Sequence, residues 1–90
     1  MNTVRIEGFV VADAVRRESP SGEPWTTFHV TTTSPEGTQD TVPVAWYHPT
    51  FKVEAGRSVR VEGKVSTRFF RVAGATQSRC EVVARKVRKV

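Results

Sequence analysis

Apolar and polar positions alternate along most of this chain, in five separate blocks. The clearest block runs from Arg57 to Arg71. Val59, Val61, Gly63 and Val65 fall on one face, and Arg60, Glu62, Lys64 and Ser66 on the other. A period of two is that of a half-buried β-strand. The pattern therefore predicts a strand over 57–66 with Val59, Val61 and Val65 in the core. Residues 3–12 form the first block, where Val4 and Ile6 alternate with Arg5 and Glu7. Gly8 interrupts it, as a glycine does at a bulge or a sharp bend. A small barrel needs such a bend where one strand serves two sheets. Residues 25–33 form the second block, with Phe28 and Val30 facing the core and Trp25, Thr27, His29 and Thr31 facing away. Its Thr, aromatic and branched residues favour a strand. In the third, 41–47, Pro43 cannot donate to a ladder and implies an edge or a bulge. The last, 79–90, sets Cys80, Val82 and Ala84 opposite Glu81, Val83 and Arg85, and makes Cys80 a small core residue.

The connections are short. Residues 13–24 read as a loop containing the turn Ser19-Pro20-Ser21-Gly22, and residues 34–40 as a hairpin loop with Pro35 and Gly37. Residues 48–56 leave room for one helical turn at most. Residues 69–78 form a long hairpin loop, with Ala73-Gly74-Ala75 at its tip and Arg68-Phe69-Phe70-Arg71 at its base. Five strands without a convincing helix predict an all-β fold, a small closed or nearly closed barrel. A bent first strand and a connection between the third and fourth describe a five-stranded OB-fold barrel with little or no helix, one domain over 1–90.

The aromatic residues break the alternation in an informative way. Trp46-Tyr47 and Phe69-Phe70 are adjacent pairs, and neighbours on a strand point to opposite faces. One ring of each pair is therefore expected to be exposed. Phe28 belongs to the core, with Phe9 or Phe51. Trp25 stands at a strand end. Exposed rings among cations suit stacking on bases combined with phosphate pairing. For Phe69-Phe70 the competing reading is a hairpin with one ring folded back onto the core.

Charge points the same way. In 90 residues, Lys and Arg number 14 and Asp and Glu 9, a net charge of +5. That balance suits a polyanion, nucleic acid before membrane, though a generic basic surface has the same composition. Arg5, Lys52, Lys64, Arg68 and Arg71 are interleaved with the aromatics. Arg16 and Arg17 read as phosphate contacts or as solvated loop charges. A chain this short gains from self-association, so a homo-oligomer is expected, a dimer first and a tetramer next. The single cysteine, Cys80, allows no internal disulfide and fits a reducing cytoplasm. No signal peptide and no apolar run approaching ~18 residues is visible, so the expectation is a cytoplasmic, nucleoid-associated protein without membrane contact. GxSxG, HExxH and Walker-type motifs are missing, and His29 and His48 have no ligand partner at metal spacing. The sequence thus predicts no enzyme, no cofactor and no metal.

Four short motifs occur together in an order that resembles one family. Arg16-Arg17 followed by Ser19-Pro20-Ser21-Gly22 leads into a strand carrying Phe28. Gly56 to Gly63 reads GRSVRVEG, similar to a GSQVYVEG segment. Thr67-Arg68 follows, and Glu81-Val82-Val83-Ala84 opens the final strand. The chain resembles the bacterial single-stranded DNA-binding proteins (SSB) over nearly its whole length, and in form the shorter primosomal PriB type within them. The resemblance implies single-stranded DNA binding in replication, repair or primosome assembly, with Trp46 and Phe70 as stacking rings and Phe69 as a core or dimer contact. Trp25 and Phe69 are weaker stacking candidates. The family's helix after the third strand is nearly absent here, and two of its stacking Trp positions have no aromatic counterpart. The family's acidic tip, which recruits replication and repair proteins, is not matched at Lys89-Val90. The alternative expectation is an OB-fold assembly subunit with weak or no nucleic-acid binding, and RNA is a third candidate ligand.

Overall fold

The computed structural model of the protein describes residues 2–90, and for Phe70 the backbone only. Six strands follow one another: β1 (Val4–Val10), β2 (Val15–Glu18), β3 (Pro24–Thr33), β4 (Gln39–Trp46), β5 (Ser58–Val72) and β6 (Ala75–Lys89). No helix occurs among the described residues. β1 pairs with β5 through Val4–Phe9, β5 with β6, β6 with β4 in parallel, and β4 with β3. β3 then returns to β1 through Phe9↔Thr31 and Val10↔Val30. The circuit closes, giving the five-stranded OB-fold barrel that the alternation predicts.

Gly8 is the bend in β1. A Cβ there would overlap the carbonyl oxygen of Thr31, so only glycine lets β1 fold onto β3 at this point. Gly63 does the same between β5 and β6. A Cβ on it would overlap the Val83 carbonyl, and the ladder shifts register between Glu62 and Gly63. Pro43 lies in β4 just before the stretch that pairs with β6, which begins at Val44. There β4 has β3 on one side only, so the missing N–H is compatible with a local edge.

The core is built largely of valines on facing strands. Val10, Val30, Val44, Val53, Val59 and Val61 are fully buried, with Phe28 and Trp46 among them. Phe51, in the β4–β5 connection, packs against this cluster with its ring edge-on to Trp46, at 5.1 Å and 66°. Phe9 is 39% exposed, so Phe51 takes the core place offered to either.

Four expectations need correction here. Residues 15–18 form a strand and not a loop: β2 lies along the same edge of β3 that β1 uses further on. The β5–β6 loop is two residues, not ten. The strands pair down to Val72↔Ala75, and Ala73 and Gly74 turn with φ of 52° and 82°. Both values are positive, as in the type I′ turn that suits strand twist. The hairpin therefore runs on as a two-stranded arm past the last pairings with β1, at Gly63, and with β4, at Val82. That is why Val65, expected in the core, is 42% exposed, and why Cys80 is exposed as well. Val65 is instead held at its backbone: Asn2 Nδ2 donates to its carbonyl (2.7 Å) and its N–H donates to Asn2 Oδ1 (3.2 Å).

Candidate nucleic-acid interface

Strand alternation places a second set of side chains on the outer face of the barrel wall. Trp25, Thr27 and His29 project from β3 opposite the buried Thr26, Phe28 and Val30. Tyr47 follows Trp46 at the end of β4, beyond the register Thr26↔Trp46, and so comes beside Trp25. The two rings stack at 5.1 Å with 13° between planes. Arg17 of β2 is the cross-strand partner of Trp25. Its guanidinium carbon lies 5.9 Å from the Trp25 centroid, and its Nε donates to Thr27 Oγ1 at 3.3 Å.

The hairpin arm contributes from the other side. Arg68 Nη2 donates to Tyr47 OH at 2.8 Å, and its guanidinium carbon is 5.3 Å from the Trp25 centroid. Arg68 is held in place by Glu81 on β6, with Nε to Oε1 at 3.0 Å. Glu81 is 9% exposed, which makes this ion pair a buried anchor for a half-exposed cation. Such a carboxylate is costly to leave without its partner. Arg79, the cross-strand partner of Arg68, donates from Nη2 to His29 Nε2 at 3.5 Å. Apart from Tyr47, these groups border a cleft of about 370 Å³ that Phe28, Pro43 and Val44 also line. One stacked aromatic pair thus stands near Arg17, Arg68 and Arg79, and two carboxylates line the cleft: Glu81, paired with Arg68, and Asp13, whose Oδ1 accepts from the Ala55 N–H at 2.8 Å.

The sequence-predicted residues divide into groups. Trp25, Arg17 and Arg68 come together here. Trp46 does not. It is 4% exposed and has Phe51 against its ring, so it is a core residue with no face open for stacking. Alternation explains the correction: at the end of β4 the outward ring is Tyr47, one residue on, and it is 37% exposed. Phe69, expected as a core or dimer contact, is 74% exposed on the arm, which removes the core reading. Phe70, the other ring assigned to stacking, lies outside the described side chains. Lys64 is exposed on β5, and Arg71 pairs with Thr76 near the arm's tip. Arg5 makes an ion pair with Glu62 at 3.8 Å. Arg16 and Lys52 line a different cleft. Tyr47, His29, Arg79 and Glu81 complete the cluster without having been assigned to it. For Tyr47 the signal was present, since one ring of the Trp46-Tyr47 pair had to face outward. For Arg79 and Glu81 it was not, because their place depends on the β5–β6 register.

No group of three or more His, Cys, Asp or Glu that could hold a metal occurs among the described residues. No helix there is long and apolar enough to cross a membrane.

Comparison with known proteins agrees with this architecture. The SSB of Plasmodium falciparum, solved in complex with ssDNA, superposes with a TM-score of 0.85 at 15% identity, over 100% of this chain and 95% of that one. The dimeric N-terminal domain of PriB from Thermoanaerobacter tencongensis superposes with a TM-score of 0.80 at 22% identity, over 99% and 96%. At these identities the superpositions establish the shared fold. No curated protein matches the chain. The model of the single-strand binding protein family matches residues 1–90, and the chain belongs to that family.

Proposed function

We propose that this protein binds single-stranded DNA without catalysing a reaction, and serves replication, repair or primosome assembly. The observation that carries the reading is the Trp25–Tyr47 stack with Arg17 and Arg68 set against the Trp25 ring. A base can stack on the aromatic pair while its flanking phosphates meet the guanidiniums, and every base has a face to offer, so binding is tolerant of sequence. Lys64 and Arg79 extend the positive charge along β5 and β6. The family membership supports the same reading, as does the ssDNA-bound state of the Plasmodium falciparum neighbour. One barrel per chain is the binding unit. The protein works as a homodimer in the cytoplasm, on the nucleoid, a reading supported by the dimeric PriB neighbour and by the exposed Phe9, Val11 and Val90.

The test is Trp25→Ala, with oligo-dT binding followed by fluorescence anisotropy. Stacking is worth ~1–3 kcal/mol per base, so affinity falls by about 5- to 150-fold with the fold retained. An unchanged affinity rejects the stacking mechanism. One observation favours the assembly-subunit alternative: Phe69 stands exposed on an arm that reaches past the barrel. That reading gains if Phe69→Ala abolishes capture of replication proteins while oligo-dT binding is already absent in the native chain. Matched RNA and DNA oligomers separate the remaining ligand class.

A further inference from the structure

The tandem arginines Arg16 and Arg17 do not act together. β2 is extended, so the two side chains leave on opposite faces. Arg17 shares a face with Trp25 and the aromatic cleft, whereas Arg16 shares a face with its cross-strand partner Thr26, which is buried. On that second face lies another cleft of about 440 Å³, bordered by Arg16, Thr50, Phe51 and Lys52. Lys89 stands beside it, with its Nζ 4.8 Å from the Phe51 ring centroid. None of Arg16, Lys52 and Lys89 has a carboxylate within ion-pair distance among the described residues. Two cations thus line this cleft and a third stands over its aromatic ring. The four-residue strand between the two clefts has β3 on one side and no strand on the other.

We propose that this second cleft is a phosphate-backbone site for the same DNA strand, which crosses the free edge of β2 after leaving the Trp25 groove. The chemistry resembles that of the groove: cations and an aromatic ring, with Thr26 and Thr50 also lining the cleft. The split tandem arginines make β2 the ridge that the backbone straddles, with one phosphate on each side. This extends the single-stranded DNA reading above and rests on it.

The experiment compares two oligo-dT lengths, about 4 and about 16 nucleotides, the range of site sizes for one OB-fold. The variant is Arg16→Ala with Lys52→Ala. Both side chains are exposed and unpaired, and a thermal melt matching the native one checks the fold. The short oligomer is held by the groove alone, so its affinity is unchanged in the variant. For the long one, two lost phosphate contacts lower the slope of log K against log[salt] by about 1.4, at ~0.7 per phosphate of a single strand, and weaken binding roughly 25-fold at 0.1 M salt. Arg16→Lys with Lys52→Arg keeps the native values. The inference is overturned if the native chain binds both oligomers and the variant matches it on the long one. It is also overturned if the variant loses both lengths equally, since the cations then serve the groove at large. A native chain that binds neither length rejects the DNA reading itself.

Discussion

Trp46 and Tyr47 are neighbours in sequence with opposite fates, and the difference gives the sharpest test at the scale of single residues. Trp46 packs in the core edge-on to Phe51, so Trp46→Ala leaves a cavity and costs about 3–5 kcal/mol of stability, readable as a lowered urea midpoint. Tyr47→Ala removes one member of the outer stack and an acceptor of Arg68. It weakens oligo-dT binding several-fold and shifts the urea midpoint far less. Arg68 has two roles, over the Trp25 ring and on buried Glu81. Arg68→Ala strands that carboxylate and costs about 1–3 kcal/mol, and adding Glu81→Gln restores part of the stability but none of the DNA binding. The sequence alone made one ring of the Trp46-Tyr47 pair exposed; it could not say which, and the family resemblance pointed to the wrong one. Only the phase of β4, fixed by Thr26↔Trp46 and Val44↔Val82, decides between them.

At the scale of elements, the long β5–β6 arm is what the alternation reads least well. Val65, Thr67 and Phe69 continue the face of Val59 and Val61 in sequence. Burial ends where the barrel ends, however, and periodicity carries no information about that boundary. The arm turns on Ala73 and Gly74, both with positive φ. A left-handed conformation costs a Cβ-bearing residue roughly 1–2 kcal/mol, and Asn tolerates it better. Ala73→Asn therefore raises the melting temperature, with oligo-dT affinity unchanged. Gly63→Ala has the opposite effect: its methyl group meets the Val83 carbonyl, forces β5 from β6, and costs at least about 1–3 kcal/mol. β2 carries no apolar alternation to read: it is four exposed residues with three charges, and its strand character comes from pairing with β3.

At the scale of the molecule, the closed barrel was legible because bends and breaks mark it: Gly8 where β1 turns from β5 to β3, Pro43 at a local edge, and five alternating blocks. The nucleic-acid face was legible only as a composition of rings and cations. Which of them meet depends on five strands converging on one wall, and that is a property of topology. The central claim is that Trp25, at the surface, is the ring that bases touch, while Trp46 stays inside. Intrinsic fluorescence separates the two, because they are the only tryptophans. Titration with oligo-dT at low salt should quench the native emission, with recovery as salt is added. In Trp25→Phe, which keeps an aromatic surface and leaves Trp46 as the reporter, the protein should still bind oligo-dT by anisotropy but lose most of the quenching. Absence of quenching in the folded native protein, or quenching undiminished in Trp25→Phe, would contradict the account.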